Sequence, residues 1–346
     1  IEKIINNKII LITGAGGTIG SELANQISEM KPKTIILSDY SEYALWNITE
    51  KISAKLEDKC ISSILLDIRD NYALDKVFSE NKPDIVLHAA ALKHVPICEK
   101  HPADAMKTNI LGTKNVSEKA IKYKTKTMVL ISTDKAVDPS NFMGASKRAA
   151  EIYIQNLDRE NFNTNFVTVR FGNVLGSTGS VIPLFQNQIL RGGPINVTHK
   201  ETTRFFMSVK EAVELVLISL HSSLERKERG GINVLEMGEP MKIDNLAKQL
   251  ARLSGLTPGK DINIVYTGLR VGEKLHEKLF HKEEKKIITD HPDILIAKSR
   301  KIDFSKIKNV LLIIEKHLDK NEEKEAIKIL QTLVPEFSID PQNKFH

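Results

Sequence analysis

Apolar residues in the first half of the chain fall into short unbroken runs, separated by longer stretches in which they recur every three or four positions. The runs at 8–13, 34–38, 62–66, 85–88, 127–131 and 165–170 read as strands, and a seventh follows at 232–237. They lack the in-out alternation of a half-exposed sheet, which marks strands buried on both faces of a parallel one. The intervening stretches 21–30, 41–56, 102–123, 142–161 and 208–221 carry helical spacing. Strand and helix in alternation predict an α/β fold, with a doubly wound parallel sheet between two helical layers.

This pattern breaks at 173–203, around a helix at 183–191. It breaks again after Gly238, where a turn at 269–274 and amphipathic helices near 307–318 and 322–333 follow. Residues 1–172 plus 204–238 are therefore expected to form a Rossmann domain, and 173–203 plus 239–346 a smaller α/β lobe that binds the substrate. At 346 residues the chain is long enough for both.

Composition narrows the function classes. Two cysteines, Cys60 and Cys98, cannot build a disulfide framework and fit a reducing compartment. The 50 basic and 44 acidic residues leave a net charge of +6, but lysine and glutamate are interleaved, as at 282–286, which is the pattern of a solvated face. No basic stripe is paired with aromatics, so nucleic acid is not the expected partner. The mild basic excess suits an anionic sugar nucleotide or a place near anionic lipid. No run approaches the roughly 20 apolar residues that span a bilayer, and no signal-peptide pattern is present. The chain begins at Ile1 rather than methionine, so a segment upstream is expected.

The first strand runs directly into Gly14-Ala-Gly-Gly17-Thr-Ile-Gly20 and then into a helix. Glycines at this spacing let the backbone turn tightly, approach a pyrophosphate closely and pack helix against strand, while the first helical N–H groups, at Thr18 and Ile19, face the phosphates. The second strand ends in Asp39, where a dinucleotide fold places the carboxylate that accepts bonds from the adenosine ribose. That charge repels a 2′-phosphate and no arginine follows it, so the expected cofactor is NAD rather than NADP. Taken alone, the glycines fit an ordinary strand-to-helix turn with Asp39 as a helix cap; the strand before, helix after and acid at this distance favour the cofactor.

Chemistry is expected at the carboxyl edge of the fifth strand, where Thr133, Asp134 and Lys135 set a hydroxyl, an acid and an amine side by side. Met143 and Lys147 stack on one face of the next helix. The plainer alternative is a capping turn with solvated lysines, and the position at the sheet edge argues against it. His94, Cys98 and His101 lack a fourth ligand at a recognisable spacing, so no metal is expected.

The G-x-x-G-x-x-G spacing resembles the short-chain dehydrogenase/reductases. Extended members of that superfamily carry Ser/Thr at this strand end and then Tyr-x-x-x-Lys, and their sugar-nucleotide 4,6-dehydratases add an acid and a base after the Ser/Thr. Here those places read Thr133-Asp134-Lys135 and Met143-Gly-Ala-Ser-Lys147. Further stretches resemble the polysaccharide-biosynthesis, UDP-N-acetylglucosamine 4,6-dehydratase branch: His88-Ala-Ala-Ala-Leu-Lys-His-Val-Pro96, Arg170-Phe-Gly-Asn-Val-Leu-Gly176, Gly192-Gly-Pro194, Thr203-Arg-Phe-Phe206 and Gly268-Leu-Arg-Val-Gly-Glu-Lys274. Methionine at the tyrosine position is most similar to the membrane-anchored, configuration-retaining members.

The resemblance implies an NAD-dependent lyase that converts UDP-N-acetylglucosamine to its 4-keto-6-deoxy product, a first step toward a bacillosamine-type sugar for protein glycosylation. It implies Asp67 and Ile68 at the adenine, Ala89 against the cofactor and Lys147 on the nicotinamide ribose. It also implies Thr133 on the C4 oxygen, Lys135 as the C5 base and Asp134 as the acid for the C6 hydroxyl. Arg204 and Arg270 fall at diphosphate-binding positions, with Asn173, Glu273 and Lys93 near the diphosphate or hexose. A parent protein anchored at the cytoplasmic face of the inner membrane, and a homodimer or larger homo-oligomer pairing helices 102–123 and 142–161, are implied as well. Met143 departs from the pattern, because a thioether cannot take the C4 proton. Asp134 is the carboxylate directly between Thr133 and Lys135 and is expected to take that proton and later return it. Two other readings stay open: a UDP-hexose 4-epimerase, which has no use for the Asp134-Lys135 pair, and a catalytically silent NAD-binding sensor.

Overall fold

The computed structural model describes residues 1–161, 163–226, 228–298 and 301–338. Six strands, β1 (Ile9–Thr13), β2 (Thr34–Asp39), β3 (Ile61–Leu65), β4 (Ile85–His88), β5 (Thr127–Thr133) and β6 (Asn165–Phe171), join Gly231–Leu235 in one parallel array. The order across it is β3-β2-β1-β4-β5-β6 and then Gly231–Leu235. Because β1 pairs with β2 on one side and β4 on the other, successive connections leave on opposite faces and open a crevice beyond the carboxyl ends of β1 and β4. Thr13 stands level with Ser38 and His88 there, and Thr133 with Phe171.

The unbroken aliphatic runs serve two cores at once. Leu11, Ile36, Val86, Met128 and Leu130 point into the layer containing helix Phe142–Glu160, and Ile10, Ile12, Ile35, Leu37 and Val129 into the layer containing helices Thr18–Ser28 and Val209–Glu225. Helix Val181–Leu190, strand Ile195–Val197 and helix Ile243–Leu253 enclose a separate small core of Phe185, Ile189, Ile195, Val197, Ile243 and Ala247.

That small core is narrower than the expected lobe of 173–203 plus 239–346. Strands Lys285–Ile288 and Ile294–Lys298 instead extend the large sheet as antiparallel edge strands beside Gly231–Leu235. Helices Phe304–Asp319 and Glu323–Leu333 lay Ile307, Leu311, Ile314, Leu318 and Leu330 onto the core around Phe142 and Tyr153. Ring contacts Phe142–Phe337 and Tyr153–Phe304, at 5.2 and 5.7 Å, complete the seam. Residues 299, 300 and 339–346 of the expected lobe lie outside the described residues.

The same helices cover, within the chain, the core-facing side of helix Phe142–Glu160 and the segment before Thr113, two stretches expected to pair between copies. The stretch 102–123 is not one regular helix: Pro102–Ala105 and Thr113–Lys122 flank a π-helical turn, Met106–Gly112, a distortion that often serves a site. Among the described residues no helix is long and apolar enough to cross a membrane.

Candidate active site

The glycine turn after β1 is dictated by close approach. Gly14 has φ +69°, and a Cβ on it would lie 2.6 Å from the backbone nitrogen of Ala90, so the turn abuts the small residues after β4. A Cβ on Gly20 would fall 2.1 Å from the Gly14 carbonyl oxygen. Gly17 is less constrained by its own chain; it precedes helix Thr18–Ser28 without a side-chain cap, which leaves the N–H groups of Thr18 and Ile19 for an anion. Gly16, passed over in the sequence, is required as well, since its Cβ would collide with that of Ala44 at 2.5 Å.

Asp39 ends β2 with one carboxylate oxygen accepting from Gly16 N–H and the other from Ser41 N–H, at 3.0 and 2.9 Å. Ile68 is buried against Gly112, where a Cβ would come within 2.6 Å of its Cδ1. Asp67 stands beside it, bonded to Arg69 through both oxygens; burial works against its charge, but the Arg69 bonds hold its carboxyl below the usual range. A close-approach turn, an uncapped helix start and a carboxylate fixed at the end of β2 together fit a dinucleotide.

At the end of β5, Thr133 donates its hydroxyl to Asp134 Oδ1 at 2.9 Å, and Lys135 Nζ donates to the same oxygen at 3.0 Å and to Asn173 Oδ1 at 2.9 Å. Four residues expected from the sequence therefore form one chain of hydrogen bonds. Asp134 lies beneath the others, fully buried, and its Oδ2 has no hydrogen-bond partner. That oxygen rests against Gly172, whose Cβ would come within 3.1 Å of it and 2.9 Å of Phe205 Cβ. Alanine at 172 is thus expected to displace the Asp134 carboxyl and lower turnover by about 10²-fold, and the clash with Phe205 is expected to lower the melting temperature as well, as steady-state assays and thermal melts would show.

Lys147 is buried and donates to the Ile131 carbonyl oxygen at 2.5 Å. Burial pulls it down to about 8, while the charge of Glu151 works the other way. His88, held between Thr13 Oγ1 and Thr113 Oγ1, is pushed down to about 3 by burial and by Lys147, and so stays neutral. Met143 lies one turn before Lys147 in an apolar group with Cys98, Ala105, Leu92 and Val95, as wall rather than proton carrier. Asn109, in the π-helical turn, bonds the N–H and carbonyl of Leu92 and the hydroxyl of Ser146, which fixes the loop bearing the exposed Lys93.

On the substrate side Arg204 is buried with one Nη bonded to the Thr203 and Leu275 carbonyls and the other to Glu273 at 3.0 Å. Glu273 also accepts from Thr198 Oγ1 and Arg270 N–H, so this carboxylate, expected among the substrate ligands, is engaged in holding the arginine turn. Arg270 itself is exposed. The Gly272 carbonyl accepts from Ser140 and Asn141, and Lys274 Nζ donates to the Val137 carbonyl at 2.6 Å, docking the turn onto the loop after Lys135.

A family model described as polysaccharide biosynthesis protein matches residues 10–299. The chain belongs to this family, the polysaccharide-biosynthesis branch of the extended short-chain dehydrogenase/reductases. Within it, the capsular polysaccharide biosynthesis protein CapD of Staphylococcus aureus is 45% identical over 95% of this chain and 54% of its own length. A Campylobacter jejuni protein named UDP-N-acetylglucosamine 4,6-dehydratase (inverting) is 35% identical over 81% of this chain and 80% of its own. UDP-glucose 4-epimerases of Rickettsia show similar identity. The X-ray structure of Pen from Bacillus thuringiensis superposes with a TM-score of 0.76 at 32% identity, over 89% of this chain and 99% of that one. The chain spans about half the length of the first curated relatives it matches.

Proposed function

We propose that this chain catalyses the dehydration of UDP-N-acetylglucosamine to UDP-2-acetamido-2,6-dideoxy-α-D-xylo-hexos-4-ulose. The observation that carries the proposal is the single Asp134 oxygen shared by the Thr133 hydroxyl and the Lys135 amine, an acid and a base joined at the sheet edge. Bound NAD would supply the hydride acceptor and donor, taking hydride from sugar C4 and returning it to C6.

The chain's own groups would handle the protons. Asp134 is fully covered, so the C4 proton passes to Thr133 Oγ1 as the Thr133 proton moves to Asp134 Oδ1. This supplies the base that Met143 cannot. Lys135, as a neutral amine, has two N–H bonds, one to Asp134 and one to Asn173, which leaves its lone pair for the C5 proton that the C4 ketone acidifies. Thr133 then gives its proton to the departing C6 hydroxyl, which leaves as water, and takes the Asp134 proton in its place, while Lys135 returns its proton to C5 on the face it came from. Lys147, a buried cation near neutral pH, binds the nicotinamide ribose. Gly14, Gly17, Thr18, Ile19, Gly20, Asp39, Asp67, Ile68 and Ala89 form the NAD cradle. Arg204 and Arg270 hold the UDP diphosphate as planar donors suited to phosphate oxygens, Glu273 positions Arg204, and Asn173 and Lys93 lie toward the hexose.

The test is proton NMR and mass spectrometry of the purified chain with UDP-N-acetylglucosamine in D₂O. A product lighter by one water, with a C6 methyl, a C4 ketone or its hydrate and deuterium at C5, is the expected outcome. Retained configuration at C5 fits a single base that takes and returns the proton; inversion would align the chain with its Campylobacter relative. Interconversion of C4 epimers without a methyl would establish the epimerase reading that the Rickettsia relatives favour, and bound NAD that no UDP-sugar reduces would establish the silent sensor.

A further inference from the structure

Arg170 opens the motif that brings Gly172 and Asn173 to the site, yet it is fully buried and turned into the protein. Its guanidinium bonds both oxygens of Glu151, on helix Phe142–Glu160, and both oxygens of Glu284, just before edge strand Lys285–Ile288. Arg148 joins the same two carboxylates at 3.1 and 3.3 Å and reaches Glu336, beyond the last helix, at 2.9 Å. Three carboxylates against two guanidiniums leave the group with one net negative charge in a region largely closed to water. For Glu284 burial opposes ionisation, but the Arg170 bonds and the charges of Arg170 and Arg148 hold its carboxyl low. An unbalanced negative charge inside a protein calls for a cation nearby.

That cation is one helical turn away. Lys147 and Glu151 lie on one face of the helix, and they bond consecutive residues of β5: Lys147 the Ile131 carbonyl, Glu151 the Ser132 hydroxyl at 2.7 Å. The next residue is Thr133. We propose that the Arg148–Glu151–Arg170–Glu284–Glu336 group is a buried counter-charge, positioning rather than catalytic, that keeps Lys147 an ammonium and fixes the β5 end carrying Thr133. The C-terminal third of the chain, which supplies Glu284 and Glu336, thereby acts on the site through Glu151. Its importance for turnover rests on the dehydratase reading, with Lys147 as the ribose-binding cation.

Among the described residues, neutral His88 on β4 feels the charge of Lys147, and Asp134 and Lys135 lie in the turn packed against the helix. None of them belongs to the five-membered group, so removing a charge from that group isolates its effect.

The measurement is NMR titration of Lys147 in protein with ¹³C-labelled lysine, free of cofactor and sugar, the resonance being assigned with Lys147→Arg. Its midpoint is expected near 8 in the parent, lower by roughly one unit or more in Glu151→Gln, and lower by less in Glu284→Gln and Glu336→Gln. Calorimetric NAD affinity should lose its alkaline limb at correspondingly lower pH. Glu336 lies at the rim of the group, so Glu336→Gln keeps the test alive if the inner variants fail to fold. An unmoved Lys147 midpoint in the folded variants overturns the proposal. Because the titration needs no turnover, its failure leaves the dehydratase reading standing, and a failed dehydratase assay leaves the titration standing.

Discussion

Asparagine at position 134 is expected to slow reduction of bound NAD by UDP-N-acetylglucosamine about 10²- to 10⁴-fold in single turnover, roughly 3 to 5 kcal/mol on the barrier. The amide keeps the shape of the carboxyl and can still accept from Thr133 and Lys135, so the hydrogen-bonded chain survives while its proton acceptor is lost. Because Asp134 is buried, the C4 proton reaches it through Thr133 rather than by direct contact with the sugar. If the proton travels through Thr133, then Thr133→Val should cost as much as Asp134→Asn, and Thr133→Ser, which keeps the hydroxyl, should retain most of the rate. Stopped-flow absorbance of the reduced nicotinamide reads all three variants. A near-normal rate in Asp134→Asn would remove Asp134 as the base, and a fast Thr133→Val with a slow Asp134→Asn would keep the base and discard the relay.

The parts of the fold visible in the sequence are those where one local pattern has one physical cause. A strand buried on both faces is dominated by aliphatic residues, which is why β1, β2 and β4 could be read as strands directly. Residues 285–298 could not: strand Lys285–Ile288 is mostly exposed at the sheet edge and mixes lysine with isoleucine, so it carries the signature of a solvated segment. The C-terminal helices were legible as amphipathic, but an amphipathic stripe does not name the surface it covers. Only the contacts with Phe142 and Tyr153 assign these helices to the Rossmann core rather than to the lobe.

The site divides in the same way. Thr133, Asp134, Lys135 and Lys147 were visible because their types are rare together at a strand edge, and Asn173 because it follows the next one. The group around Arg170 was hidden by distance along the chain, since Glu151 and Glu284 are 133 residues apart. Its one sequence signal was a charged residue next to the last position of strand β6. Gly16 and Gly172 were hidden for a different reason: each is fixed by a collision with a residue from another segment, Ala44 in one case and Phe205 in the other.

Methionine at position 135 is expected to separate the two halves of the reaction. Its side chain is unbranched and of similar length to lysine, so the cavity stays filled, but it offers no lone pair basic enough to take the C5 proton. Asp134 loses one of its two donors in this variant while keeping Thr133, so the path for the C4 proton stays in place. Oxidation at C4 should therefore proceed, and a burst of reduced nicotinamide should appear on mixing with UDP-N-acetylglucosamine. Deuterium at C5 and the C6 methyl should then form about 10²- to 10⁴-fold more slowly than in the parent. The same variant separates the competing assignments, because a 4-epimerase breaks no bond at C5 and would interconvert its C4 epimers at a normal rate without Lys135. Slow elimination with an intact burst supports Lys135 as the C5 base; elimination at the parent rate would transfer that role to another group; and loss of the burst itself would place Lys135 in the C4 step, alongside Asp134.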